Sequence, residues 1–392
     1  MTPDFNWIEQ HFDDNPSALR LKYGKEHGDD ILQIEMRKKH GAKFAETLKE
    51  NPEFVFPTSL SAEQSTSDLL AAFHSSLIES GAKVADLTAG LGIDAMAFAK
   101  KAAYVAAVEK SKEVAAALEK NTEKLKNLQV FEGDCRNIVE NWVEKNEKFD
   151  AVFIDPARRD SAGGRVFALE SCEPDVVEML PLIAKITPRL IVKASPMLDI
   201  SHTVGELSPY VVKTIALGTT TECKELLAVC ELTLTEQPET TISAVTLGPE
   251  LKSEFSFTRN EEAKATAKFG VPKAGDIILD PYPAVMKAAP NRLLGERYGV
   301  TKIGSNTHLW FSNEPVERFP GSEWRIIEVL PYMSKHIKRY SSRFPKVSVT
   351  ARNFDISSDA LRAKLKVSDG PLRLFAVNAF DGRKLLITCE KI

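Results

Sequence analysis

Cysteine is scarce in this chain of 392 residues. The five cysteines are an odd number, irregularly spaced and without a CxxC pair, which argues against a disulfide framework and against a zinc site. Long apolar runs are also missing, since none approaches the roughly 18–20 residues of a membrane span. The acidic N-terminal residues do not resemble a secretory signal. We therefore expect a cytoplasmic protein that binds no membrane and no metal.

The composition is 43% hydrophobic and 27% charged, which excludes a mostly disordered or collagen-like chain. At about 100–200 residues per domain, the length predicts two or three domains. Charged residues are unevenly distributed along the chain. Residues 251–392 contain 24 Lys and Arg against 15 Asp and Glu, whereas residues 1–250 contain 27 against 40. A basic C-terminal third on an acidic body predicts an anionic partner for that third.

Hydrophobic periodicity divides the chain into three predicted domains. Residues 1–60 have apolar residues at helical spacing and predict a helical domain. Residues 61–235 alternate short β-rich runs with helical stretches, which predicts a doubly wound parallel sheet between helices. A short loop joins the last two runs of that region, so we expect them to form an antiparallel hairpin. Residues 236–392 predict a second α/β domain that ends in a β-α-β-β pattern.

A glycine-rich turn follows the first predicted strand, in the sequence from Asp86 to Asp94. Gly90 and Gly92 allow the backbone to adopt positive φ and to approach a ligand closely. In an open α/β sheet, ligands bind in the crevice beyond the carboxyl ends of the strands. Two glycines in a turn are common, so this turn alone is weak evidence for a binding site.

Acidic residues give the stronger signal, because one lies at the end of each of four successive predicted strands. They are Asp86, Glu109, Asp134 and Asp155. Since the carboxyl ends of parallel strands meet at one edge of a sheet, we expect the four carboxylates to line a common rim.

Together, these motifs make the region resemble the class I S-adenosylmethionine-dependent methyltransferases. In that family the glycine-rich turn contacts the methionine part of the cofactor, and the acid matching Glu109 accepts hydrogen bonds from both ribose hydroxyls. The acid matching Asp134 lies near the adenine amine. The resemblance implies that S-adenosyl-L-methionine is bound by Asp86, Thr88, Gly90, Gly92, Asp94, Glu109, Asp134 and Cys135. The family's reversed seventh strand also agrees with the predicted hairpin.

A nicotinamide-binding Rossmann domain is the rival interpretation, because Gly90 to Ala95 also satisfies the GxGxxG/A pattern. Asp86 argues against it, since a carboxylate before the glycine turn would repel a pyrophosphate. Asp134 and Asp155 would also have no role in such a site. We therefore favour the methyltransferase interpretation.

The predicted catalytic edge begins at Asp155-Pro156-Ala157-Arg158. Amino-methyltransferases that act on nucleic-acid bases carry Asp, Asn or Ser followed by Pro-Pro-aromatic at this position, where the first side chain and a proline carbonyl accept hydrogen bonds from the target amine. The resemblance assigns Asp155 and Pro156 to this role, although Ala157 and Arg158 depart from the pattern. We expect Arg158, Arg159 and Lys193 to contact the substrate, with the Arg/Gly-rich segment after Pro156 forming a loop over the target. A solvated surface loop is the alternative.

A basic segment from Leu330 to Phe354 contains no acidic residue. Its cations are interleaved with aromatic residues, a combination that suits phosphate neutralisation and base stacking. The predicted substrate contacts in this segment are Lys335, Lys338, Arg339 and Arg343. The alternative is a solvated face whose aromatic residues pack into the core.

The C-terminal pattern resembles the THUMP-like domain attached to some bacterial methyltransferases, and related THUMP domains deliver RNA to modifying enzymes. The sequence therefore predicts methyl transfer from S-adenosyl-L-methionine to RNA, with a base nitrogen as the expected acceptor. Two other hypotheses stay open, namely methylation of a protein or small metabolite and a catalytically silent RNA-binding scaffold.

Overall fold

The computed structural model describes residues 3–158 and 168–392. It divides into two compact units, one formed by residues 1–213 with 226–238 and the other by residues 214–225 with 239–392. The predicted domain boundaries near residues 60 and 235 stay a prediction. Within the described part of the chain, no helix is long and apolar enough to cross a membrane.

The first unit begins with five short helices. They are α1 Phe5–Gln10, α2 Pro16–Tyr23, α3 Gly28–His40, α4 Ala45–Glu50 and α5 Ser59–Gln64. Side chains of Asp4, Asn15 and Thr58 cap the first, second and fifth of these helices by accepting hydrogen bonds from free backbone N–H groups. The helical prediction for this segment is confirmed.

The rest of the first unit alternates strands and helices. The strands are β1 Lys83–Asp86, β2 Tyr104–Glu109, β3 Leu128–Glu132, β4 Ala151–Ile154, β5 Ala157–Arg158, β6 Cys172–Glu173, β7 Arg189–Ala194, β8 Val211–Gly218 and β9 Cys223–Glu231. The helices are α6 Asp68–Ser76, α7 Ile93–Ala99, α8 Lys112–Thr122, α9 Cys135–Glu144, α10 Val176–Ile183 and α11 Ile200–Glu206, with a short 3₁₀ helix at Leu169–Ser171.

Seven neighbouring strands of the nine-stranded main sheet follow the order β8-β9-β7-β4-β1-β2-β3. Strands β7, β4, β1, β2 and β3 are mutually parallel, and β9 runs antiparallel to β7. The predicted doubly wound sheet with a reversed last strand is confirmed. The tip of the β8–β9 hairpin, residues 214–225, belongs to the second unit.

Hydrophobic burial explains why the central strands lie where they do. All four residues of β4 are buried, and β1 and β2 are buried over most of their length. Such continuous apolar strands are typical of a parallel sheet that is covered on both faces. The register pairs Asp86 at the end of β1 with Ala107 of β2 and Phe153 of β4. The carboxyl ends of these strands therefore form one edge.

The second unit contains the remaining elements. Its strands are β10 Thr241–Leu247, β11 Lys252–Thr258, β12 Ile277–Pro281, β13 Thr301–Lys302, β14 Trp310–Ser312, β15 Gly321–Pro331, β16 Lys346–Arg352, β17 Ser368–Asn378 and β18 Lys384–Lys391. Its helices are α12 Arg259–Lys264, α13 Pro283–Ala288, α14 Leu293–Tyr298, α15 Ser334–Arg343 and α16 Ser358–Leu365.

Seven strands of this unit form a sheet in the order β13-β14-β12-β15-β18-β17-β16. β16 and β17 are parallel across α16, and β18 returns antiparallel to β17. This arrangement confirms the predicted β-α-β-β pattern at the end of the chain.

Two details differ from what the sequence predicts. The pattern predicts a single helix over residues 283–299, but α13 ends at Ala288 because Ala289 adopts a left-handed conformation with φ of 60° and Pro290 cannot continue the helix. The antiparallel pair β10 and β11 has no counterpart among the predicted elements. The strand signal is present, because Thr favours strands and β11 alternates Phe255 and Phe257 with polar residues.

Candidate functional site

The carboxyl edge of the main sheet gathers the acidic residues that follow its strands. Asp86 and Glu109 are the last residues of β1 and β2, and β3 ends at Glu132, level with Glu109. Asp134 lies two residues after β3, and Asp155 directly follows β4. The four carboxylates therefore follow four adjacent strands at the same edge.

The two glycines of the turn between β1 and α7 differ in the space around them. Gly90 and Gly92 both adopt left-handed backbone conformations, with φ of 54° and 84°. A Cβ atom on Gly92 would lie 2.2 Å from Leu118 Cδ1, so packing against α8 requires glycine there. A Cβ atom on Gly90 would meet nothing within 4 Å. The backbone at Gly90 therefore borders open space.

Glu109 is fixed beside this turn by two backbone donors. The Gly90 N–H donates to its Oε2 at 2.9 Å, and the Ser111 N–H donates to its Oε1 at 2.7 Å. Each carboxylate oxygen has two lone pairs, so both oxygens of Glu109 keep the capacity to accept a further hydrogen bond. The side chain is thus held at the edge and can still accept from two vicinal hydroxyls.

Asp86 lies deeper in the sheet and is 1% exposed. Its Oδ1 accepts from the Thr88 N–H at 3.1 Å, whereas its buried Oδ2 has no hydrogen-bond partner among the described residues. Burial raises the pKa of Asp86 well above its ordinary value, and the carboxylates of Asp94 and Asp155 raise this pKa further. Lys193 and the Thr88 N–H oppose this shift in the pKa.

A chain of hydrogen bonds runs behind the edge, from Asp155 to His74. The Lys193 Nζ donates to Asp155 Oδ2 at 2.5 Å and to Thr66 Oγ1 at 3.0 Å. The Thr66 hydroxyl donates to Asp94 Oδ2 at 2.6 Å, and His74 Nδ1 lies 2.7 Å from Asp94 Oδ1. Lys193 connects the carboxylate after β4 with the helical segment that precedes β1.

Asp94 is buried, but its pKa shifts in the opposite direction to that of Asp86. Burial alone would raise the pKa of Asp94, yet the charge and hydrogen bond of His74, with Lys193 and Thr66, outweigh burial and lower it. Asp94 is therefore an ionised internal partner. Its predicted contact with a cofactor stays a prediction.

Asp134 and Cys135 lie at the start of α9. Asp134 caps this helix by accepting from the Arg136 N–H at 3.0 Å, and its Oδ2 lies 3.4 Å from Lys110 Nζ. The Cys135 thiol is buried, and burial together with Asp134 raises its pKa to about 11, so it is protonated at neutral pH. Lys110 also pairs with Glu173 of β6.

The segment after Asp155 starts with the two-residue strand β5, which pairs antiparallel with β6. Arg159 and the rest of the predicted loop over the target, to residue 167, lie outside the described residues. The catalytic role of Asp155 and Pro156 and the substrate contacts of Arg158, Arg159 and Lys193 stay predictions.

In the second unit, helix α15 carries the predicted cationic contacts. Lys335, Lys338, Arg339 and Arg343 are all exposed, and Arg343 pairs with Glu328 at 2.6 Å. Residues Lys335, Arg339 and Arg343 line one depression of about 350 Å³, together with Leu330, His336, Tyr340 and Phe344. Three permanent cations, spaced four residues apart, thus face one concave surface.

The aromatic residues of this segment behave differently from its cations. Tyr340 is 1% exposed and its hydroxyl lies 2.6 Å from Thr388 Oγ1. Tyr332, Phe344 and Phe354 are partly buried against the same apolar cluster. Tyr340 therefore packs into the core, and its ring is not available for base stacking.

Thr66 and His74 are the residues of this region that sequence reasoning missed. The hydroxyl-rich segment at residues 57–67 favours helix capping at least as much as closure over the methionine end of a cofactor, and Ser67 does cap α6. An isolated histidine such as His74 suggests a structural or surface position, and it is fully buried in the core. Its spacing of 20 residues from Asp94, across two helices and a strand, gives no local signal.

Among the described residues, no group of three or more His, Cys, Asp or Glu side chains is arranged to hold a metal ion.

Comparison with known proteins bears on both units. Residues 49–166 match a methyltransferase family described as conserved hypothetical protein 95. Residues 278–320 match a ferredoxin-like domain, and residues 321–391 match a THUMP domain-like family. No curated protein matches the chain significantly.

Among solved structures, a proposed methyltransferase of Porphyromonas gingivalis W83 is 28% identical and superposes with a TM-score of 0.88, over 99% of this chain and 97% of that one. A proposed S-adenosylmethionine-dependent methyltransferase of Streptococcus mutans is 16% identical, with a TM-score of 0.30 over 35% of this chain and 37% of that one. A proposed RNA methyltransferase of Pyrococcus horikoshii is 26% identical, with a TM-score of 0.24 over 35% and 57%.

The strand order, the reversed last strand and the acid-lined carboxyl edge define a class I methyltransferase fold. The matches to a methyltransferase family and to the Porphyromonas protein agree with this fold. The chain is a methyltransferase with a C-terminal THUMP-like domain, and the resemblance inferred from its motifs is confirmed.

Proposed function

We propose that this methyltransferase uses S-adenosyl-L-methionine as methyl donor and a base nitrogen in RNA as acceptor. The observation that carries the first part is the open glycine turn beside Glu109. Gly90 leaves space for a ligand, and Glu109 is held next to it with acceptor capacity on both carboxylate oxygens. Asp86 adds a buried oxygen without a partner among the described residues.

These residues fit the proposed donor. A nucleoside with two ribose hydroxyls suits the two oxygens of Glu109, and a positively charged amino-acid part suits an edge lined by carboxylates. When bound, S-adenosyl-L-methionine supplies a methyl group already activated by a positive sulfur. Asp134 and the buried Cys135 would border the adenine side, since they follow β3 at the same edge.

The contribution of the chain itself is then mainly positioning, which can lower a barrier substantially by aligning the reacting atoms. Asp155 would accept a hydrogen bond from the target amine, together with the Pro156 carbonyl. Lys193 fixes the orientation of the Asp155 carboxylate, because its Nζ lies 2.5 Å from Oδ2 and is itself anchored on Thr66.

The RNA part of the proposal rests on the second unit. The exposed cations of α15 line one depression, and this helix lies inside the region that matches a THUMP domain-like family. Side chains of this kind neutralise phosphates, and such binding is salt-sensitive. Since Tyr340 packs into the core, we expect phosphate contacts at α15 and no stacking by that ring.

Donor binding is tested by titration calorimetry of the wild type and of Glu109→Ala. The variant loses two charge-assisted hydrogen bonds to the ribose, each contributing about 1.5–3 kcal/mol, so we expect at least a tenfold loss of affinity. Glu119→Ala, on the exposed face of α8, is the matched control and should bind the donor like the wild type. Equal affinity of Glu109→Ala and the wild type would contradict the assignment.

The acceptor is tested by incubating the protein with methyl-labelled donor and total RNA, followed by mass spectrometry of the nucleosides. An N-methylated nucleoside that disappears with Asp155→Ala, which removes the hydrogen-bond acceptor, supports the proposal. Label in protein or in small molecules would instead support the alternative acceptors. Salt-sensitive RNA binding without donor binding would support the silent scaffold.

A further inference from the structure

Asp86 is held in an environment that does not suit a carboxylate ion. The side chain is 1% exposed on a strand between β2 and β4, and it receives one hydrogen bond, from the Thr88 N–H. Its Oδ2 is buried and has no partner among the described residues. Burying a charge with so little compensation is costly, and such groups commonly become neutral instead.

The charged groups around Asp86 add to this cost. Asp94 acts on it from α7 and Asp155 from the segment after β4, and both raise its pKa. Lys193 on β7 opposes them, but its ammonium lies 2.5 Å from Asp155 and mainly compensates that carboxylate. His74 on α6 likewise lies against Asp94. Two carboxylates thus use the nearby cations, and the third, Asp86, has none of its own.

We propose that Asp86 holds a proton in the ligand-free protein and releases it to solvent when the cationic methyl donor binds. This inference rests on the proposed donor and extends it to a coupling between donor and proton. The O–H bond of the carboxylic acid breaks, the proton passes to the buffer, and the electron pair stays on the carboxylate. The positive charge of the donor then supplies the compensation that the protein lacks.

Such coupling has a definite direction. Because the donor prefers the ionised form of Asp86, affinity rises with pH, by up to about tenfold per pH unit below the pKa of the ligand-free side chain. S-adenosylhomocysteine lacks the sulfonium charge, so its binding should release fewer protons and depend less on pH.

The first experiment is titration calorimetry of the full chain with S-adenosyl-L-methionine, in two buffers of different ionisation enthalpy. We expect the wild type to release up to one proton per donor bound. Asp86→Asn, a neutral isostere, should abolish the release and weaken donor binding most at high pH, without loss of ligand-free stability. Asp150→Asn is the control, since Asp150 lies exposed at the opposite end of β4 and should release protons like the wild type.

Donor binding without proton release would overturn the proposal, and so would release that persists in Asp86→Asn. A second measurement needs no donor: infrared difference spectra of the wild type and Asp86→Asn. The carbonyl band of a protonated carboxylic acid, lost in the variant, supports a proton on Asp86, and its absence contradicts it. If the band is present and no donor binds, the proton assignment stands, whereas the release step falls with the proposed function.

Discussion

The two units of this molecule differ in how far their charged side chains are buried and paired. At the carboxyl edge of the first unit, Asp86, Asp94 and Lys193 are buried or nearly so, and Asp94 and Lys193 have defined partners. On α15 of the second unit, Lys335 and Arg339 are exposed to solvent. Buried charges are costly unless they are paired in good geometry, whereas exposed charges add little to stability. Substitutions at the carboxyl edge should therefore change the stability of the fold, whereas substitutions of the exposed cations on α15 should change it little.

The largest effect is expected at the buried edge, for Asp94→Ala. This change leaves the buried His74 and the Thr66 hydroxyl without their acceptor, and breaking a buried pair costs about 3–5 kcal/mol of unfolding free energy. Urea unfolding at neutral pH measures it. Asp13→Ala, at an exposed position of the same unit, should cost less than about 0.5 kcal/mol.

The Asp94 effect should also depend on pH. Because the pKa of Asp94 is lowered in the folded protein, its stabilisation is present above the unfolded pKa of about 3.8 and is lost as pH falls through the lower folded value. The difference in unfolding free energy between the wild type and Asp94→Ala should therefore decrease in strong acid. A difference that stays constant down to strongly acidic pH would contradict an ionised Asp94.

The next largest loss of stability is expected for Gly92→Ala. Comparison with Gly81→Ala distinguishes the steric clash of the added methyl group from the strain of a positive φ. Gly92→Ala and Gly81→Ala both place alanine at a positive φ, but only the first brings a Cβ atom into contact with Leu118. Overpacking should make Gly92→Ala less stable than Gly81→Ala by about 1–3 kcal/mol in urea unfolding. Equal losses would mean that α8 shifts without cost.

A smaller effect is expected at the aromatic core beneath α15. Tyr340→Phe removes the hydrogen bond to Thr388 and should lower the unfolding free energy by about 1 kcal/mol. RNA affinity should not change, because the ring is buried and makes no stacking contact. A loss of RNA affinity with unchanged stability would reverse our assignment of this residue.

The smallest effect on stability, within about 0.5 kcal/mol, is expected for the double variant Lys335→Ala/Arg339→Ala. The salt dependence of RNA binding should instead decrease, by about 0.7 in slope for each phosphate that the variant no longer neutralises. Filter binding over a series of salt concentrations measures it. Lys264→Ala/Lys268→Ala removes the same charge from exposed positions of the same unit, and it should keep the wild-type slope.

Much of the first unit could be predicted because its signals are local. Four of the five parallel strands, β1 to β4, are short runs that end in an acid or are followed by one within two residues. That these ends share one edge follows from the topology alone, as the Asp86 register shows. The break at Ala289 could not be predicted because a left-handed alanine has no sequence signature, although Pro290 was visible. The pairing of His74 with Asp94 could not be foreseen, since it joins two helices through tertiary packing.

Thr66 also has a consequence for the design of shortened proteins. This residue precedes the first strand of the main sheet by 17 positions, yet its hydroxyl joins Asp94 to Lys193. A fragment trimmed to begin just before β1 would keep every sheet strand of the first unit. It would still lose both Thr66 and His74, so the smallest working version of the enzyme must retain the helical segment that carries them.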